Sequence, residues 1–258
     1  MFGIKSALRS ALRRLGFGTW TIGSGETLNF ENLLYILKRG HDRIALIHIG
    51  AHDGRSFSDP LYHFVIQNQD SVVGVYVEPV SSTYERLKKN LGHIKGLVLL
   101  RAAVHPFEKT VEIFSGTAVK KRRKWDPSGR STVDKSRLQS TPSEILAGSI
   151  KSELVPGISV SECLSYLPIN SSNLPLVICV DTEGLDFEIV RSSIRAGIFP
   201  WLIRFEHNLC LTNSPSDIDD YLSLVLDLNQ VGYQVITEHN DATAIHLRLT
   251  DQITKPYK

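Results

Sequence analysis

The 258-residue sequence offers little from which to build a cysteine scaffold. Its three cysteines, Cys163, Cys179 and Cys210, are scattered and odd in number. That excludes a disulfide framework and any paired-cysteine metal motif, and it fits a reduced, cytoplasmic protein. Cys179 lies inside an apolar run and reads as a core residue. No apolar stretch approaches the roughly 18 residues needed to span a bilayer. Neither sign of charge dominates: 29 Lys and Arg against 27 Asp and Glu leave a formal charge of +2. The balance gives no reason to expect nucleic acid as a partner. Internal repeats are missing, and so are the G-x-G-x-x-G fingerprint of nicotinamide dinucleotide binding and the Gly-Lys-Ser/Thr of a P-loop.

What is present is an alternation. Apolar, β-branched runs occur at Arg43–Gly50, Ser71–Pro79, Gly96–Val104, Pro175–Asp181 and Trp201–His207. They lack strict period-two patterning, so both faces of each strand are expected to be buried, as in a parallel sheet. Helical patterns fill the intervals at Ser56–Gln69, Ser81–Leu91, Leu185–Ala196 and Ser216–Val231. This predicts a doubly wound α/β sheet. Near the end, "GYQVITE" and "ATAIHLRL" flank "HND" and predict an antiparallel hairpin that closes the sheet.

Two segments break the rhythm. At the start, Lys5, Arg9, Arg13 and Arg14 interleave with Ile4, Leu8, Leu12 and Leu15. Residues 1–40 therefore read as an amphipathic extension that packs on the domain, with peripheral contact to a membrane surface as the alternative. From Ser115 to Pro156 the domain, residues 41–258, turns polar and basic, with "KKRRKW" at Lys120–Trp125. An insertion of that length is either substrate-facing or a solvated loop. Its charge around Lys120–Arg137 suits an anionic acceptor. Oligomeric state leaves no signal.

The stretch "IALIHIGAHDGRSFSD", Ile44–Asp59, has the strand–turn–helix form that receives small ligands. Gly50 and Gly54 allow a tight turn and close backbone approach to a ligand, and Ser56 is the expected N-cap of the following helix. In the next strand Glu78 stands at the carboxyl end, where an acid can accept both hydroxyls of a ribose. Pro79 ends that strand and Ser81 is the expected cap of the next helix. In "VICVDTEGLDFEIV", Asp181 ends an apolar strand and Glu183 lies in the turn, so at least one of them is expected to face substrate or metal. Asp186 and Glu188 fit the acidic first turn of a helix. "RFEHN" adds Glu206 and His207 at the next strand end.

The motifs "IHIGAHDGRSFS", "VYVEPVSSTYERLKKN", "LRAAVHP", "VDTEGLDFEIV" and "IRFEHN", taken in this order, resemble those of FkbM-type S-adenosylmethionine-dependent methyltransferases. The resemblance runs from about Ile44 to about His207. It implies a Rossmann-like class I methyltransferase fold, with a mostly parallel seven-stranded sheet and a C-terminal antiparallel hairpin. It also implies O-methyl transfer to a hydroxyl of a saccharide, glycan or natural-product acceptor, with S-adenosylmethionine as cofactor. Carried over, Gly50, Ala51, Gly54 and Ser56 would cradle the methionine part, Glu78 would hold the ribose, and Ala102 and Ala103, within Arg101–Val104, would lie near the adenine. His48 departs from the family's usual aspartate: it is either a cofactor ligand or a support for the turn, and a neighbouring carboxylate could replace the lost charge. Asp181 would sit beside the cofactor, and Glu183 would face the acceptor. For the proton of the acceptor hydroxyl, His207 is the first candidate base, with Glu206 and Asp181 as rivals. Asp181, Glu183 and Glu206 could hold magnesium as oxygen ligands, the weaker expectation. The alternative reading is a non-catalytic, methyltransferase-like binding module.

Overall fold

Helix α1 (Phe30–Gly40) begins where the Asn29 side-chain oxygen accepts a hydrogen bond from the Asn32 N–H at 2.8 Å. Phe30, Leu33, Leu34 and Leu37 recur at helical spacing and are buried in the main core. This part of the N-terminal extension therefore packs on the domain. The computed structural model describes residues 29–56, 59–116, 131–135, 150–168, 173–207 and 215–249. The basic amphipathic stretch at the start, Cys210 and the run Lys120–Trp125 lie outside them.

In chain order, α1 is followed by β1 (Ile44–Ile49), α2 (Tyr62–Gln67), β2 (Val72–Val77), α3 (Ser81–Leu91), β3 (Leu97–Leu100) and β4 (Ala103–Val104). Then come β5 (Thr110–Gly116), β6 (Ser131–Thr132), β7 (Ile150–Ile158), α4 (Val160–Ser165), β8 (Leu176–Val180) and α5 (Asp186–Arg195). The chain continues through β9 (Leu202–Glu206), α6 (Pro215–Gln230), β10 (Tyr233–Glu238) and β11 (Asp241–His246).

The central sheet has seven strands in the order β10-β11-β9-β8-β1-β2-β3. β1 pairs in parallel with both β2 and β8, and all six of its residues are buried. Only β11 runs against its neighbours, between β9 and β10. One core layer packs α1, α2 and α3 against one face, and a second packs α4, α5 and α6 against the other. This is the mostly parallel seven-stranded α/β sheet with a C-terminal antiparallel hairpin expected from the sequence. The strand order reverses beside β1, since the chain builds β2 and β3 outward on one side before crossing to β8 on the other. Open α/β sheets bind ligands at such a switch point.

Three expectations need correction. The run Gly96–Val104 is two strands, because β4 leaves the central sheet to pair with β7. The helix expected from Ser56 starts only at Tyr62. The insertion is not a plain loop where it is described: β5, β6 and β7 form a second sheet with β4. β5 and β7 are antiparallel, and Val111, Ile113 and Val155 build a small core with Val80 and Ala103. Residues alternate exposed and buried from Thr110 to Ile113, the period-two signature of a half-covered strand. Among the described residues, no helix is long and apolar enough to cross a membrane.

Candidate active site

β1 ends in a turn clamped between its neighbours. The N–H groups of Gly50 and Ala51 both donate to the Val77 carbonyl at 3.0 Å, and the Asp181 N–H donates to the Ile49 carbonyl at 2.9 Å. Gly50 has φ +73°, and a Cβ there would come 1.8 Å from the Asp181 carbonyl oxygen. The close approach that demands glycine is therefore between two strand ends, not only toward a ligand. Gly54 packs on α3, where a Cβ would meet Leu91 Cδ1 at 2.6 Å. Ser56 caps nothing. Its N–H and Oγ donate to the Asp53 carboxylate at 2.7 and 2.6 Å, and so does the Arg55 N–H at 3.0 Å. Such local bonding competes with helix and delays its start. Asp59, accepting from the N–H groups of Leu61 and Tyr62, then leads into α2. Nor does Ser81 cap α3; Val80 occupies that place, and the Ser81 N–H turns toward the Glu153 carboxylate.

Beyond these strand ends lies a cavity. His48, Gly50, Ala51 and Ser56 line one part of it, and Glu78, Ala102 and Ala103 line another. Glu78 is 3% exposed. Its two oxygens accept the His52 N–H at 3.0 Å and the Val80 N–H at 2.9 Å. Burial outweighs these bonds and pushes its carboxyl up to about 7. His48 is buried, packs edge-on against Tyr76, and places Nδ1 3.6 Å from Asp59 Oδ2. Burial lowers its pKa more than the Asp59 carboxylate raises it, which keeps the imidazole neutral at pH 7.

On the far side of β1 the cavity meets acids. Asp181, Glu183 and Glu206 bring one oxygen each to within 4.8 Å of one another, a spacing and donor set that a hard divalent cation can use. Asp181 is open by surface area, but it opens into this recess rather than to bulk solvent. Loss of hydration first, then the carboxylates of Asp186, Glu206, Glu183 and Asp241, hold its carboxyl well above the ordinary range. Glu183 adopts φ +52°. Its carbonyl accepts a 3.1 Å bond from the Thr132 hydroxyl, so β6 of the insertion reaches the acidic turn. Ser131, Thr132 and Ile113 complete the wall on that side.

Asp186 is more than a favourable helix-start charge. It is buried and accepts the Thr182 hydroxyl at 2.8 Å, the Thr182 N–H at 3.2 Å and the Glu206 N–H at 3.3 Å. It thereby ties the turn after β8 to the end of β9. Glu188 is exposed and fits the simpler reading.

His207 is placed differently from the expectation. It is 5% exposed, forms no part of the cavity wall, and packs against the Tyr221 ring, tilted at 52° with the ring centroids 5.2 Å apart. Its N–H donates to the Asn240 carbonyl at 2.8 Å. Burial takes its pKa down to about 4.

No family model matches the chain. No curated protein matches it either. Among solved structures it is similar to a precorrin-6y C5,15-methyltransferase from Geobacter metallireducens, at 11% identity and a TM-score of 0.40, over 83% of this chain and 86% of that one. It is similar also to a SAM dependent methyltransferase from Aquifex aeolicus, at 8% identity and a TM-score of 0.37, over 83% and 87% of the two chains. A third is the fibrillarin pre-rRNA processing protein of Methanococcus jannaschii, at 8% identity and a TM-score of 0.40, over 80% and 67%.

The structure thus gathers His48, Gly50, Ala51, Ser56, Glu78, Ala102, Ala103, Asp181, Glu183 and Glu206 around one cavity and leaves out Gly54 and His207. Sequence reasoning missed Asp59, Thr132 and the bridging role of Asp186. Asp59 had a signal, since Asp-Pro initiates turns. Thr132 had none, because it belongs to a strand of two residues inside a polar insertion.

Proposed function

We propose that this protein is an S-adenosylmethionine-dependent O-methyltransferase of FkbM type, acting on a hydroxyl of a saccharide, glycan or natural product. The observation that carries the reading is the single cavity at the strand switch point, with Glu78 on one side of the Gly50 turn and the Asp181 carboxyl on the other. In this reading Glu78 accepts the ribose hydroxyls, and Ala102 and Ala103 leave room for a flat adenine. The bound cofactor supplies a methyl group on a sulfonium, which departs as a neutral thioether.

The chain's own part is to align an acceptor oxygen with that methyl and to take its proton. Orientation can supply about 7–11 kcal/mol, against roughly 3–5.5 kcal/mol for a general base. Positioning is thus the larger share, and the walls built by Glu183 and Thr132 serve it. For the proton, Asp181 replaces His207 as the preferred acceptor. It opens into the cavity, and a carboxyl held well above the ordinary range is a stronger base than a solvated one, whereas His207 faces Tyr221 and is too weak a base. Glu206 remains its nearest rival. A magnesium ion on Asp181, Glu183 and Glu206 would relieve the same crowding, and loss of activity on chelation would favour it over the proton.

Asp181→Asn is expected to cut turnover by about 10²–10⁴-fold while changing cofactor affinity far less. His207→Gln is expected to stay near the wild-type rate. Full turnover in Asp181→Asn would remove Asp181 as the proton acceptor. The function itself is tested by calorimetric titration with S-adenosylmethionine, then by labelled-methyl transfer to candidate saccharides with mass spectrometry of the product. Failure to bind the cofactor would overturn the reading; binding without transfer to any acceptor would favour a binding module.

A further inference from the structure

We infer that Asp59 and His48 form a receptor for a ligand ammonium group, which in the cofactor reading above is the amino group of S-adenosylmethionine. His48 Nδ1 is buried and has no hydrogen-bond partner among the described residues. The nearest acceptor, Asp59 Oδ2, stands off at 3.6 Å, beyond hydrogen-bond length. The Asp59 side chain is only 5% exposed. Its Oδ1 is committed to the N–H groups of Leu61 at 2.9 Å and Tyr62 at 2.8 Å, so Oδ2 is the oxygen turned to the imidazole. Beneath them the Tyr76 hydroxyl is also buried without a partner among the described residues. Both His48 and Asp59 belong to the cavity wall, together with Gly50 and Ala51.

The charge balance identifies the ligand class. Among the described residues, no lysine or arginine side chain lies within ion-pair distance of Asp59, and the His48 imidazole is neutral. A carboxylate held out of water without a counter-charge is costly, and an incoming cation relieves that cost. A neutral imidazole has one donor and one acceptor nitrogen. With Nδ1–H turned to Asp59, Nε2 is left to accept an N–H from the ligand, and an anion at this place would be repelled. Asp59 thus supplies, from the turn before α2, the negative charge that the histidine on β1 lacks.

The test compares three probes on the full chain by calorimetry: S-adenosylmethionine, its decarboxylated form, which keeps the ammonium, and 5′-methylthioadenosine, which lacks the whole amino-acid arm. Asp59→Asn is the chosen variant because it keeps an oxygen for the Leu61 and Tyr62 N–H groups. It is expected to weaken both ammonium-bearing probes by about tenfold or more and to leave 5′-methylthioadenosine unchanged. His48→Leu is expected to weaken the same two probes selectively. Unchanged affinity for S-adenosylmethionine in Asp59→Asn, or equal weakening of all three probes, would overturn the inference while leaving the cofactor reading standing. A wild-type protein that binds none of the three would overturn that reading, and this inference with it.

Discussion

Glu78→Ala is expected to weaken S-adenosylmethionine binding by about tenfold or more. A hydrogen bond to a charged group is worth roughly 1.5–3 kcal/mol, and about 1.4 kcal/mol is already a factor of ten. The carboxylate has a second task, since it accepts the N–H of His52, a residue held at φ +47°, and that of Val80. Truncation therefore also loosens the turn that follows Gly50 and Ala51. The pH dependence separates the two tasks. With the carboxyl raised to about 7, ribose hydroxyls that donate to the ionised form bind better as the proton leaves. Affinity is expected to climb as pH rises through about 7, then to level off, and Glu78→Ala is expected to flatten that climb. For the free protein the sign is opposite. The unfolded chain gives up this proton near its ordinary value of 4.5, so Glu78 makes the fold less stable as pH rises from there to about 7. Calorimetry showing wild-type affinity in Glu78→Ala would take this residue out of the site.

Gly50→Ala is expected to be the most damaging small substitution in the cavity wall. The new Cβ would lie 1.8 Å from the Asp181 carbonyl oxygen and 2.7 Å from its carbon, and neither backbone has a flexible end to move aside. A left-handed non-glycine residue costs about 1–2 kcal/mol, and overpacking adds about 1–3 kcal/mol. A fall in melting temperature on the order of 10 °C follows for a chain of this size. Gly197 is an internal control: its φ is +74°, yet a Cβ added there would meet nothing within 4 Å. Gly197→Ala therefore bears the backbone cost alone. Equal melting temperatures for the two variants would show that contact with Asp181 is not what requires glycine at position 50.

The parallel strands were legible because burial on both faces demands unbroken apolar runs, and β1 and β2 are such runs. Their carboxyl ends were legible for the same reason, so Glu78 and Asp181 could be placed at one edge of the sheet. The start of α2 was not, because Asp53 and Asp59 spend their oxygens on nearby N–H groups and hold the chain in turns for several residues. The second sheet escaped for a different reason. A strand that is covered on one side shows polar residues at every other position, and in a basic insertion that alternation looks like solvated loop. His207 was misplaced because sequence gives the end of a strand but not the face to which its last side chain turns.

The floor of the cavity belongs to the central sheet, whereas Ile113, Ser131 and Thr132 cover it from the smaller one. The Thr132 hydroxyl, bonded to the Glu183 carbonyl, is one of the contacts that join the two surfaces. Changes in the covering strands leave the pairing of β1 with β2 and β8 untouched. The covering residues can therefore vary in sequence while the strand ends that form the floor keep their mutual register.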